Sequence, residues 1–200
     1  MTKFRILTTS MLLALALSSC EDTRVAGELE GTWTRGYVMP FEDGTKERIR
    51  EQITFLRTDR DSKGGTFEEI CTGEDELKEK QYIATYKWVS SIKGTWEISR
   101  KQLFEHYDIS TLEVVLNKED VKTELNPDYY FWNSDNLIMD AISLQSLHEE
   151  LKQDTYKALY RSYSSLNRQD HKGRGYTDVQ VKGNEFSYMS ADMGRITFRR

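Results

Sequence analysis

Hydrophobic and polar residues alternate over most of the chain, which is typical of strands that bury one face. The clearest example is the segment 92–99, in which Ile92, Trp96 and Ile98 point one way while Lys93 and Glu97 point the other way. The other alternating segments have their hydrophobic positions at Ile49, Ile53 and Phe55; Tyr82, Ala84, Tyr86 and Trp88; Leu112, Val114 and Leu116; Val179 and Val181; Phe186 and Tyr188; and Ile196 and Phe198. Turn sequences at 183–184 and 192–194 separate the last three strands. The pattern therefore predicts a mainly β protein, an antiparallel meander in a barrel or a sandwich.

One segment departs from this alternation and predicts a helix. Its hydrophobic residues recur at helical spacing, at Leu144, Leu147, Leu151, Ala158, Leu159, Tyr163 and Leu166. Ser146 is followed three residues later by Glu149, which fits a capping box. We therefore predict one α-helix over about 146–166, inserted before the last strands.

The first residues resemble a bacterial export signal. Lys3 and Arg5 precede an apolar run, Ile6 to Leu17, which is too short to cross a bilayer, so residues 1–19 are predicted to be a signal peptide. The segment from Leu17 to Cys20 resembles a lipobox. The resemblance implies that the mature chain begins at Cys20 and that fatty-acyl chains such as palmitate anchor it in the bacterial outer membrane. An ordinary secretory signal with a coincidental cysteine is the alternative.

The residues after Cys20 bear on location and on domain organisation. Glu21 and Asp22 resemble the acidic signal that directs some lipoproteins of the Bacteroidetes to the cell surface, and both the surface-exposed and the periplasmic face stay open. Residues 20–28 are predicted to be a short tether, and residues 29–200 a single β domain.

Charge and cysteine content narrow the possible partners. Without residues 1–19 the chain has 26 basic and 33 acidic residues, a net charge of −7, which argues against nucleic acid as a partner. If Cys20 carries lipid, Cys71 has no partner for an internal disulfide. Its acidic surroundings, residues 68–76, disfavour a thiolate, so we predict a buried structural thiol.

The start of the globular part resembles a known family. Leu29-Glu30-Gly31-Thr32-Trp33 is similar to the first strand of lipocalins and the wider calycin group, and Gly94-Thr95-Trp96 repeats the Gly-x-Trp tripeptide. The resemblance implies a barrel with a cup-shaped cavity, in which Trp33 packs across one end under a basic residue of the last strand. The candidates for that basic residue are Arg195, Arg199 and Arg200. The chain thus resembles lipocalin-like lipoproteins of the Bacteroidetes, a resemblance that implies a fold but no single activity.

No residue pattern points to catalysis or to a cofactor. His148 lacks the second histidine four residues later that a zinc protease helix needs, and it is predicted to be a solvated helix residue. The adjacent acids at Glu68-Glu69 and at 74–76 fit a solvated surface better than the facing carboxyl pair of a glycosidase. We therefore predict no enzymatic activity, no metal and no cofactor.

Aromatic residues provide the remaining functional hypotheses. Tyr82, Tyr86 and Trp88 share one strand face and are candidates for lining a ligand cavity. Tyr130 and Trp132 belong to an aromatic run, 129–132, whose residues must point to both faces of a strand, so they are candidates for a partner surface. The first hypothesis is a membrane-anchored, non-enzymatic lipocalin-like module that binds a small hydrophobic or glycan-type ligand. The alternatives are an accessory lipoprotein that docks another envelope protein and, ranked below both, an envelope hydrolase with paired carboxylates in one cleft.

Overall fold

The computed structural model describes residues 20–41, 44–80, 82–127, 141–170 and 175–200. The predicted signal peptide and the aromatic run 129–132 lie outside these residues. The described elements follow the order α1 (residues 20–29), β1 (Gly31–Pro40), β2 (Lys46–Arg57), β3 (Gly64–Lys78), β4 (Tyr82–Ser99), β5 (Gln102–Val115), a 3-10 turn (Lys118–Asp120), β6 (Val121–Leu125), α2 (Ala141–Asp170), β7 (Thr177–Lys182), β8 (Glu185–Ser190) and β9 (Gly194–Arg199).

The strands form one antiparallel sheet in the order β5-β4-β3-β2-β1-β9-β8-β7. Strand β6 pairs with the part of β4 that lies beyond the end of β5. The sheet curls into a half-barrel, and its two edges approach each other at a single antiparallel bridge between Leu103 and Tyr176. The predicted mainly β class, the antiparallel meander and a helix before the last strands are confirmed.

Aromatic side chains fill one end of the concave face. Trp33, Phe55, Phe186 and Phe198 are almost completely buried, with ring centroids of Trp33 and Phe186 5.6 Å apart and those of Phe186 and Phe198 5.4 Å apart. Aromatic residues bury the largest apolar area per side chain, so this cluster dominates the stability of that end. We call it the lower core.

The first and last strands are joined at Trp33. Its indole Nε1 donates to the carbonyl of Leu29 at 2.7 Å, and the guanidinium of Arg200 lies 4.0 Å above its ring centroid. The same guanidinium donates to the carbonyls of Glu28 and Glu30 at 2.7 and 2.9 Å. Of the three candidate arginines, Arg200 is therefore the one over the tryptophan, where a cation and an indole face attract each other.

Residues 20–29 form a helix instead of the predicted tether. Val25, Ala26 and Leu29 recur on one helix face and are buried against the lower core. The carboxylate of Asp22 accepts hydrogen bonds from the backbone N–H groups of Arg100 and Lys101 at 3.1 and 3.2 Å, in the turn between β4 and β5. The apolar stripe of α1 covers the aromatic end of the half-barrel, which an extended tether would leave open to water.

Helix α2 is longer than predicted and packs along β5. Because it begins at Ala141, Ser146 lies within it and the capping-box interpretation is wrong. His148, predicted to be solvated, is buried and its Nε2 donates to the carbonyl of Leu116 at 2.7 Å. None of the helices among the described residues has the length and apolarity needed to span a membrane.

Candidate functional site in the half-barrel interior

Four charged side chains lie above the lower core on the concave face. They are Arg35 on β1, Glu51 on β2, Glu69 on β3 and Glu105 on β5, and each glutamate is only 6% exposed. Each one takes an inward position of its strand, between inward neighbours two residues away. Those neighbours are Trp33 and Tyr37, Ile49 and Ile53, Phe67 and Cys71, and Leu103 and Tyr107. The regular alternation of these strands therefore forces charge into the interior.

Arg35 and Glu51 form a buried ion pair. The two residues stand directly opposite each other on β1 and β2, and Oε2 of Glu51 lies 2.6 Å from Nε and 2.5 Å from Nη2 of Arg35. The guanidinium also lies 4.6 Å from the ring centroid of Tyr37 and 4.9 Å from that of Phe198. These contacts fix Arg35 in one orientation, and its charge compensates one carboxylate.

Glu69 and Glu105 are connected through a tyrosine hydroxyl. The hydroxyl oxygen of Tyr107 lies 3.0 Å from Oε2 of Glu105 and 3.3 Å from Oε2 of Glu69. One hydroxyl proton can be donated to only one of these carboxyls, so both contacts are hydrogen bonds only when the other carboxyl is protonated. The second oxygen of Glu69 accepts from Tyr163 at 2.7 Å and from the Cys71 thiol at 3.4 Å. Glu69 is the better supplied with donors, which leaves Glu105 as the carboxyl that carries the proton.

The raised pKa of Glu105 agrees with a proton on this carboxyl. Burial, together with the charge of Glu69, raises the pKa of Glu105 to about 8. Burial and the charge of Glu69 also raise the pKa of Glu51 to about 7, although Arg35 acts in the opposite direction. Burial raises the pKa of Glu69 as well. Arg35 therefore stays charged, and the carboxyls of Glu51 and Glu105 exchange protons with water near neutral pH.

A cavity of about 280 Å³ adjoins this cluster. Arg35, Glu51 and Glu69 contribute charged groups to its wall. The aromatic part of the wall consists of Tyr37, Trp88, Tyr107, Tyr163, Tyr176 and Tyr188. Its volume is near the lower limit for ligand pockets, so its shape and lining suit a small molecule with polar groups.

The predicted ligand-binding residues are divided between two places. Trp88 lines the cavity and also belongs to a second hydrophobic cluster beneath α2, whereas Tyr82 and Tyr86 pack against that cluster and do not line the cavity. Trp88 donates through Nε1 to Asp75 at 3.3 Å, and its indole lies flat over Gly73 on the neighbouring strand. A Cβ atom at residue 73 would come within 2.1 Å of the indole ring, so the glycine is required for this position of Trp88.

The sequence analysis assigned the acidic residues of β3 to the surface, and the structure corrects this in part. Glu68 is exposed as predicted, but Glu69 is buried in the interior. The alternation along β3 indicates a buried position for Glu69, because this residue shares its face with Phe67 and Cys71. The preference of glutamate for water argues for exposure instead, since an acid is rarely buried without a partner on another strand.

The remaining predicted sites are placed as follows. Cys20 is exposed at the first residue of α1, and Cys71 is buried, which confirms the prediction of a buried thiol. Burial raises the pKa of the Cys71 thiol far above its usual value, so it is a poor nucleophile. Tyr130 and Trp132 lie outside the described residues. Among the residues that the structure describes, no group of three or more His, Cys, Asp or Glu side chains is arranged to hold a metal ion.

No protein-family model matches the sequence, and no curated protein sequence matches it either.

Proposed function

We propose that this protein is a lipid-anchored, non-enzymatic binding protein of the lipocalin-like kind, and that a small ligand occupies the interior of its half-barrel. The observation that carries the proposal is the cavity of about 280 Å³ beside the charged cluster. Charged groups and tyrosine hydroxyls in its wall are costly to bury unless a partner satisfies them. The lining therefore favours a ligand with polar groups over a purely hydrophobic one.

The same geometry favours binding over hydrolysis. Glu51 and Glu69 both face the cavity, which is the arrangement that an envelope hydrolase would need. Each carboxyl, however, is already held by protein groups, Glu51 by Arg35 and Glu69 by two tyrosines and a thiol. These contacts make the two carboxyls ion-pair and hydrogen-bond partners of the protein itself, whereas a general acid or base must transfer its proton to or from the substrate.

The anchor part of the proposal is supported by the exposed position of Cys20 at the start of α1. Helix α1 covers the lower core, so a lipid on Cys20 would hold the Trp33 end of the half-barrel at the membrane. We expect Cys20→Ala to move the protein from the membrane fraction to the soluble fraction with an unchanged circular dichroism spectrum. Cys71→Ala is the control and should stay with the membrane. Retention of Cys20→Ala in the membrane fraction would contradict the anchor.

Native mass spectrometry tests the ligand-binding part. Protein extracted from its own membranes should carry a small molecule that is lost on denaturation. Leu159→Trp should abolish that adduct because Leu159 lines the cavity from α2, whereas Ala158→Trp, on the exposed side of the same helix, should keep it. Absence of any adduct from the unaltered protein, or an adduct that survives Leu159→Trp in the folded protein, would refute binding in this cavity.

A further inference from the structure

We infer that the ligand is a small amine, bound in the half-barrel cavity as its ammonium ion with Glu69 and Glu51 as counter-ions. This inference rests on the proposed binding function and adds the chemical class of the ligand. It starts from the charge balance of the interior and from the aromatic wall of the cavity.

The interior contains more carboxyl groups than cationic side chains. Three carboxyls, those of Glu51, Glu69 and Glu105, lie within it, and Arg35 is the one cationic side chain among the described residues that line the cavity. The other titratable groups that line the cavity are Tyr37, Cys71, Tyr107, Tyr163, Tyr176, Tyr188 and the exposed carboxyl of Asp192. Burial raises the pKa of the five tyrosines and of the thiol, so these groups stay uncharged and cannot supply the missing positive charge. Without a ligand, the charge of Arg35 and the proton on Glu105 compensate two of the three carboxyls, and Glu69 is held by neutral donors.

An ammonium ion can supply the positive charge that Glu69 lacks. It brings one positive charge and three donors, which match the carboxylate oxygens of Glu69 and Glu51 and the neighbouring phenol oxygens. A carboxylate or phosphate ligand would add negative charge to a site that already has an excess of it. A neutral sugar could form hydrogen bonds but would leave the charge balance unchanged.

Aromatic side chains also make up much of the cavity wall. Tyr107 and Tyr163 have ring centroids 4.8 Å apart, and Tyr176 stacks on Tyr188 at 4.3 Å, so four rings line the same small space. The faces of aromatic rings attract cations, most strongly where water is excluded. The protein uses this attraction for its own cation, because Arg35 lies over the ring of Tyr37.

Isothermal titration calorimetry with matched probes tests the inference. Each amine is paired with a neutral molecule of similar shape, putrescine with 1,4-butanediol and tyramine with 4-ethylphenol, and glucose serves as a neutral sugar. At least one amine should bind while its neutral counterpart does not. The charge of Glu69 helps to hold the proton on Glu105, and the ammonium offsets that charge, so binding at pH 7 should release protons. This release is measured from the dependence of the heat on the ionisation enthalpy of the buffer. The affinity should rise from pH 6 to pH 8, by up to about tenfold per pH unit.

Variants of two adjacent glutamates on β3 provide the comparison. Glu69→Gln removes the interior carboxylate and should weaken amine binding by about 10- to 100-fold, the usual loss for one charge-assisted hydrogen bond. Glu68→Gln removes the same charge from the exposed face of the strand and should leave binding unchanged. The proton release is measured on the unaltered protein, so the test does not depend on the folding of Glu69→Gln.

The outcomes separate this inference from the function on which it rests. Equal binding of an amine and its neutral counterpart, no proton release, or an affinity that is indifferent to Glu69→Gln would overturn the amine assignment. Binding of glucose alone would also overturn it while leaving the cavity as a ligand site. If none of the probes binds at millimolar concentration, the amine assignment fails, and the adduct measured by native mass spectrometry decides separately whether the cavity binds anything.

Discussion

Replacing Glu105 by glutamine removes a carboxyl that stays protonated in the folded protein at neutral pH but ionises in the unfolded chain. Burial and the charge of Glu69 raise the pKa of Glu105 from 4.5 to about 8. One pH unit of difference between the folded and unfolded pKa corresponds to about 1.4 kcal/mol. Ionised Glu105 therefore lowers the free energy of unfolding by up to about 5 kcal/mol above pH 8. Glutamine is uncharged at every pH, and its amide can donate to the Tyr107 hydroxyl as the protonated carboxyl does.

The sign of the effect follows from the direction of the shift. Because the folded-state pKa of Glu105 is the higher one, its contribution to stability is complete below pH 4.5 and is lost as the pH rises to about 8. The unaltered protein and Glu105→Gln should have similar stability at pH 4.5, and the variant should be more stable by several kcal/mol at pH 9. Urea unfolding followed by tryptophan fluorescence at pH 4.5, 6, 7, 8 and 9 measures this difference.

The exposed Glu68 provides the matched control. Glu68→Gln changes the net charge by the same amount, and its free energy of unfolding should stay within about 0.5 kcal/mol of the unaltered protein at each pH. Equal pH dependence of Glu105→Gln and the unaltered protein would refute the electrostatic argument. A variant that is less stable than the unaltered protein at pH 9 would refute it as well.

Two further changes test the packing around the site. Gly73→Ala should lower the free energy of unfolding by about 1–3 kcal/mol and alter the tryptophan emission spectrum, because the new Cβ would meet the indole of Trp88 at 2.1 Å. Urea unfolding measures the first effect and emission spectra measure the second. An unchanged spectrum would contradict the contact. Arg200→Ala should lower the free energy of unfolding by about 1–2 kcal/mol, because it removes the cation over Trp33 and the hydrogen bonds of that cation. The side chain of Arg199 is 78% exposed, so Arg199→Ala should leave thermal unfolding nearly unchanged. Equal melting temperatures of these two variants would exclude the role given to Arg200.

The strands and the lower core could be read from the sequence because both follow from local pattern. Alternation such as that of Ile92, Trp96 and Ile98 defines a buried face without knowledge of any other strand, and the three residues are buried in the structure. The family resemblance predicts a basic residue of the last strand over Trp33, and Arg200, one residue beyond β9, takes that position. The helix before the last strands was also recognised, although its ends were not, because helix ends depend on capping contacts more than on periodicity.

The interior charge cluster could not be read in the same way. The alternation already assigns Arg35, Glu51, Glu69 and Glu105 to inward positions, yet a glutamate at such a position normally argues that the face is exposed. Its burial becomes tolerable only when a partner from another strand supplies a counter-charge or a proton donor. Which partner that is depends on the register between β1 and β2, which sets Arg35 opposite Glu51, and on the path of α2, which brings the Tyr163 hydroxyl to Glu69.

The sequence by itself therefore determined the class of the fold, most of its strands and the residues that fill its aromatic end, but not β3 or β6. The tertiary structure decided where the interior changes from apolar to acidic and which space remains unfilled beside the acids. It also decided that residues 20–29 are a helix covering the lower core and not a tether. The physical reason is that the spacing of hydrophobic residues is a property of one segment. The compensation of buried charge and the covering of an open core need groups from distant parts of the chain.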